Sequence, residues 1–83
     1  MKQIARTKDQ IGGALRNRRR ELGMNQATLG EKANLRQATI SRAETGDDSI
    51  RLGTLCDILA ALDLELVVQP RTKGSVKMFE DLF

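Results

Sequence analysis

The chain has no histidine, tryptophan or tyrosine, and only one cysteine, Cys56, and one proline, Pro70. With no imidazole and a single thiol, neither a disulfide framework nor a zinc site can be built within one chain, and a reduced, cytoplasmic setting is expected. The sequence also lacks a Gly-rich phosphate loop and a carboxylate pair with an evident pocket. No enzyme, cofactor or metal is therefore expected. The only aromatic residues are Phe79 and Phe83, so the core must be aliphatic. No apolar run approaches bilayer-spanning length, the N-terminus lacks the apolar stretch of a signal peptide, and no membrane partner is expected.

What is present is charge, unevenly placed. The 83 residues make one domain, small enough that its core is marginal without a partner or a second copy. Net charge is +3, but residues 1–51 hold eleven Lys/Arg against six Asp/Glu, whereas residues 52–83 hold three against five. A basic front half suits contact with a polyanion.

The stretch Asn25–Gly46, NQATLGEKANLRQATISRAETG, reads as two short helices joined by a tight turn. Asn25 is a good N-cap, and Leu29 and Ala33 lie four residues apart on the helix that follows. Asn34 tolerates a left-handed turn, and Leu35 re-enters the core. The second helix is expected from about Arg36 to Thr45, stopping at Gly46, with Ile40 and Ala43 inward and Gln37, Ala38, Thr39, Ser41 and Arg42 outward. This is helix-turn-helix spacing, in which the second helix enters a DNA major groove. Gly30 suits a close crossing of the two helices.

The stretch resembles the phage-repressor-like (XRE-type) DNA-binding family in Gln26 opening the first helix, small Gly30, Ile40, and the Glu44-Thr45-Gly46 ending. Asn34 stands where glycine is usual, and Ala43 where a larger aliphatic is common.

Upstream, residues 1–6 form a short basic arm, and Thr7 with Gln10 reads as a capping box. The helix they open is expected to align Ile11, Ala14, Leu15 and Leu22 and to stop at Gly23, although Gly12 and Gly13 each cost about 1 kcal/mol relative to Ala. Arg16, Arg18, Arg19 and Arg20 crowd it. Arg16 and Arg20 fit a solvated face at least as well as a phosphate contact, while Arg19 sits at the edge of the apolar side. The family resemblance implies that Arg19 pairs with Glu44 and braces the first helix against the third.

Downstream, a helix over Leu52–Leu62 places Leu52, Leu55, Cys56, Leu59 and Leu62 at helical spacing, so Cys56 is expected as a buried structural thiol. The period then changes to two: Leu64, Leu66 and Val68 alternate through a candidate strand that Pro70 ends. A lone strand leaves its main-chain groups unpaired. Pairing with the same strand of a second copy, through Leu64, Leu66, Val67 and Val68, solves this. It would set two reading helices about 34 Å apart on a palindromic operator. The segment 71–83 is a polar linker followed by Val76, Phe79, Leu82 and Phe83 at helical spacing. These large apolar residues fold back on the body or anchor on a partner.

Taken in order, these parts look like the antitoxin subunit of HipA/HipB-type toxin–antitoxin modules over about residues 8–70. The correspondences are Gln37-Ala38-Thr39-Ile40-Ser41, Ile58-Leu59 and Leu64-Glu65-Leu66. The fold expected is all-α with one short C-terminal strand: an arm (1–6), a lambda-repressor-like helix-turn-helix bundle (7–63), a dimerisation strand (64–70) and a tail (71–83). The resemblance implies a homodimer that represses its own operon from double-stranded operator DNA and binds and silences a HipA-like kinase toxin, for which Phe79, Leu82 and Phe83 are the candidate anchors. A stand-alone phage-type repressor is the alternative.

At DNA, Gln37 can pair with adenine, Ala38 or the Thr39 methyl can meet a thymine methyl, Ser41 can reach a base or phosphate, and Arg42 a guanine or phosphate. Gln26, Lys32 and Arg36 are candidate phosphate contacts.

Overall fold

The computed structural model describes residues 2–71. Four helices follow one another: α1 (Lys8–Glu21), α2 (Gln26–Ala33), α3 (Gln37–Glu44) and α4 (Leu52–Ala61). Each boundary has a local cause. Thr7 Oγ1 accepts from the Gln10 N–H at 3.1 Å and opens α1. The return bond of the capping box is displaced by one residue, because Gln10 Oε1 accepts from the Arg6 N–H at 2.6 Å. Asn25 Oδ1 accepts from the Thr28 N–H at 2.7 Å and opens α2. Asn34 closes α2 in the left-handed region (φ 59°), as its short polar side chain allows. α3 and α4 begin at Arg36 and Arg51 without a side-chain cap, so packing rather than capping sets their starts.

α3 packs on both α1 and α2, and α2 also packs on α4. Their shared core is Leu15, Leu29, Ile40, Ala43, Ile58 and Leu62, with Ile11, Leu35, Ile50, Leu55, Leu59 and Leu64 half-buried around it. Removing a buried aliphatic side chain from water stabilises by about 1.5–3 kcal/mol, so these few residues dominate the cohesion of so small a body. Close approach needs two glycines. A Cβ on Gly12 would stand 2.5 Å from the Glu44 carbonyl oxygen, and one on Gly30 would stand 2.7 Å from that of Leu35. Gly12, unfavourable by helix propensity, is therefore required where α1 crosses the end of α3.

Three expectations change. α4 turns Ile58 and Leu62 inward with Leu55 and Leu59 beside them, which leaves Cys56 exposed and Leu52 67% exposed. The apolar stripe is centred on Ile58, and Cys56 falls about 160° from it around the helix, at 100° per residue. Leu22, expected on the inner side of α1, is the residue that ends that helix and is exposed. Finally, no β-strand occurs among the described residues, and residues 64–70 carry no regular structure. Leu64 docks on the core, but Leu66, Val67 and Val68 are exposed. A strand needs a neighbouring ladder, and a single chain supplies none here.

Candidate nucleic-acid interface

Helix α3 is fixed from beneath. Arg19 on α1 grips Glu44 at the end of α3 with two parallel bonds, Nε to Oε2 at 2.6 Å and Nη2 to Oε1 at 3.0 Å. A third Arg19 donor, Nη1, reaches the Met24 carbonyl at 2.9 Å, just before α2 begins. Gln26, the first residue of α2, donates its side-chain amide to Glu44 Oε1 at 3.1 Å, and Arg16 Nε lies 3.6 Å from the same oxygen. Arg19 and Glu44 are both buried, so one carboxylate ties three helices together.

Burial alone would push the Glu44 carboxyl up. The hydrogen bonds from Arg19 and Gln26, with the charges of Arg19 and Arg16, overcome this and hold it below the usual carboxylate range. Its hydrogen bond to Glu44 likewise raises Arg19 above the ordinary arginine value. No buried side-chain nitrogen or oxygen among the described residues lacks a partner.

With Ile40, Ala43 and Glu44 facing inward, α3 presents Gln37, Ala38 and Arg42 to solvent and leaves Thr39 and Ser41 half-buried at the edges. Arg42 is held in place. Its Nε donates to Asp47 Oδ2 at 2.9 Å and its Nη2 donates to the Ser49 hydroxyl, while Asp47 Oδ1 accepts from both the main-chain N–H and the hydroxyl of Ser49 at 2.7 Å. The two Ser49 bonds, followed by the one from Arg42, hold the Asp47 carboxyl far below the usual carboxylate range. Arg42 thus reaches α3's surface as an oriented, partly neutralised cation.

Lys32 near the end of α2 and Arg36 before α3 are exposed and have no ion-pair partner among the described residues. They flank the turn between the two helices with unpaired positive charge. No group of three or more potential metal ligands occurs among the described residues, and no helix there is long and apolar enough to cross a membrane.

A helix-turn-helix family profile matches residues 15–69. The chain belongs to the helix-turn-helix family. It is 38% identical over 63 residues to an uncharacterized HTH-type transcriptional regulator, y4dL, of Sinorhizobium fredii. That match takes in 76% of this chain but only 32% of the relative, so the chain spans about a third of that protein's length. Among solved structures it is similar to HipB in the HipB–O4 20mer complex, with a TM-score of 0.79. It is similar again to a chain of the HipA–HipB–O2–O3 complex, with a TM-score of 0.78. Both matches are 30% identical and cover 86% of this chain and all of the other. The chain thus has a helix-turn-helix fold that resembles HipB.

Of the residues singled out in the sequence, this helix-turn-helix brings Gln26, Lys32, Gln37, Ala38, Thr39, Ser41 and Arg42 onto α2 and α3, with Arg36 immediately before α3. Gln26 commits one amide N–H to Glu44, which leaves its second N–H and its oxygen for an outside group. Leu64 is half-buried, away from the exposed Leu66, Val67 and Val68. Phe79, Leu82 and Phe83 lie outside the described residues. Two roles escaped sequence reasoning. Arg18 is structural, donating from Nε to the Leu62 carbonyl at 3.0 Å and so closing the end of α4. The Asp47–Ser49 turn that holds Arg42 was legible as an Asp-x-Ser turn signal, but its grip on α3 depends on tertiary placement.

Proposed function

We propose that the chain is a sequence-specific transcriptional repressor that acts as an antitoxin in the cytoplasm. In this reading a homodimer occupies a palindromic operator ahead of its own operon and holds a HipA-like kinase toxin in an inactive complex. The observation that carries the reading is the outer face of α3: exposed Gln37 and Ala38 stand on a helix whose inner face is locked by Ile40, Ala43 and the Arg19–Glu44 pair.

A helix locked on one side presents its other side in one orientation, as base reading requires. Gln37 pairs with the N6 and N7 of an adenine, Ala38 and the Thr39 methyl meet a thymine methyl, and Ser41 and Arg42 complete the base contacts. Gln26, Lys32 and Arg36 hold the phosphates, Gln26 with help from the free N–H groups at the start of α2. Leu64, Leu66, Val67 and Val68 join the two copies, and Phe79, Leu82 and Phe83 are the candidate toxin anchors.

The antitoxin half rests on similarity to HipB and to a chain of the HipA–HipB–O2–O3 complex. Affinity purification of the tagged chain from its native cells tests it. Recovery in a stoichiometric complex with a larger kinase-fold protein is expected. Recovery of a DNA-binding dimer alone would replace this reading with that of a stand-alone repressor.

A further inference from the structure

Away from the DNA-reading face lies an open groove of about 980 Å³. Ile11 and Ala14 of α1 and Leu59 of α4 form its apolar floor; residues 2–6 make one wall and residues 63–71 the other. Both walls are irregular chain, and neither is complete. Among the described residues, none of the main-chain groups of residues 2–5 or 65–71 makes a backbone–backbone hydrogen bond. The walls also carry exposed apolar side chains, Ile4 at 43%, Leu66 at 57%, Val67 at 63% and Val68 at 93%. Unpaired main-chain groups on both sides of an apolar trough describe a space that one more strand would fill.

We infer that the groove seats residues 64–70 of a second copy of this chain, and that the N-terminal arm is the outer strand against which that segment pairs. This rests on the dimer proposed above and adds a partner to it. A two-fold axis between the two 64–70 segments gives the order arm, partner segment, segment, partner arm, so each copy's segment is paired on both edges. The strand that neither wall supports alone then has a ladder on each side. Charge agrees: residues 2–6 carry Lys2 and Arg6 and no acid, while residues 63–66 carry Asp63 and Glu65 and no base. Basic side chains on the outermost strand also discourage a further chain from adding to the sheet.

Amide hydrogen exchange on the full-length chain tests this, with Val67→Pro as the reference. In the wild-type dimer, the amides of residues 3–5 should exchange at least about tenfold more slowly than in monomeric Val67→Pro. Ile4→Glu should raise the dimer dissociation constant by about tenfold or more, with the helical circular dichroism unchanged. If Val67→Pro is monomeric but the wild-type arm is unprotected, the arm is not a strand and the inference fails while the dimer reading stands. A wild-type monomer, or a dimer that survives Val67→Pro, removes the dimer reading itself. Protection that persists in the Val67→Pro monomer and disappears on truncation after Arg71 would mean that the chain's own tail fills the groove, and would overturn the inference. Protection that appears only when a larger protein is added would overturn it too.

Discussion

The two ends of this small body are finished to different degrees. Beneath α3, Glu44 takes hydrogen bonds from Arg19 and Gln26, and every buried polar side-chain atom described has a partner. Along residues 65–71 the main chain bonds to no other backbone group among the described residues, and three large aliphatic side chains face solvent. The α3 end is self-sufficient within one chain, whereas the other end, in the proposed dimer, is completed by a second chain. Changes at the first end should therefore read out in folding, and changes at the second in association.

The largest effect belongs to the buried pair. Glu44→Leu leaves the buried Arg19 guanidinium with no counter-charge and only the Met24 carbonyl as acceptor, and should cost about 3–5 kcal/mol in chemical denaturation. The double change Arg19→Met with Glu44→Leu should recover much of that, because no buried charge is left uncompensated. Acidity probes the same pair. Glu44 titrates below its ordinary value of 4.5, so its contribution is fully present above that pH and is lost as pH falls through the lower folded value. Melting temperature should therefore fall less steeply at acid pH in Glu44→Gln than in the wild type.

At the other end, Val67→Pro should leave the helical circular dichroism of the monomer unchanged. It should raise the dimer dissociation constant by about a hundredfold, since each dimer carries the change twice. On the reading face, Gln37→Ala should cost about 1–3 kcal/mol in DNA affinity and relax preference at one base pair per half-site, with melting unaffected. Asn25→Ala removes the cap of α2 and should lower stability by about 1 kcal/mol. Lys32→Ala and Arg36→Ala should have the smallest effect on any one sequence. Each should weaken binding to all duplexes alike and flatten the slope of log affinity against log salt by about 0.9 for each phosphate no longer neutralised.

Much of the self-sufficient end was legible in the sequence, because its signals are local. Asn25 as cap, Asn34 as left-handed turn and the inward spacing of Ile40 and Ala43 depend on near neighbours. The Arg19–Glu44 pair came from family resemblance, since residues 25 apart in sequence carry no spacing signal of their own. Gly12 shows the limit of propensity: its cost within α1 is visible in the sequence, but the Glu44 carbonyl that requires it is not. α4 was misread because Leu52 and Cys56 are as apolar as Ile58, and composition alone cannot choose which stripe faces inward. The alternation at Leu64–Val68 was legible as a strand pattern, yet alternation does not supply the ladder partner.

In the proposed function, α3, held by Glu44, reads DNA from a two-fold dimer. In vitro selection from a random duplex pool, run in parallel on wild type and Gln37→Ala, tests it most directly. The wild type should enrich an inverted repeat with half-site centres one helical turn apart, about 34 Å, and Gln37→Ala should lose preference at the same position in each half. Enrichment of no sequence, or of a site that Gln37→Ala reads unchanged, would contradict the account.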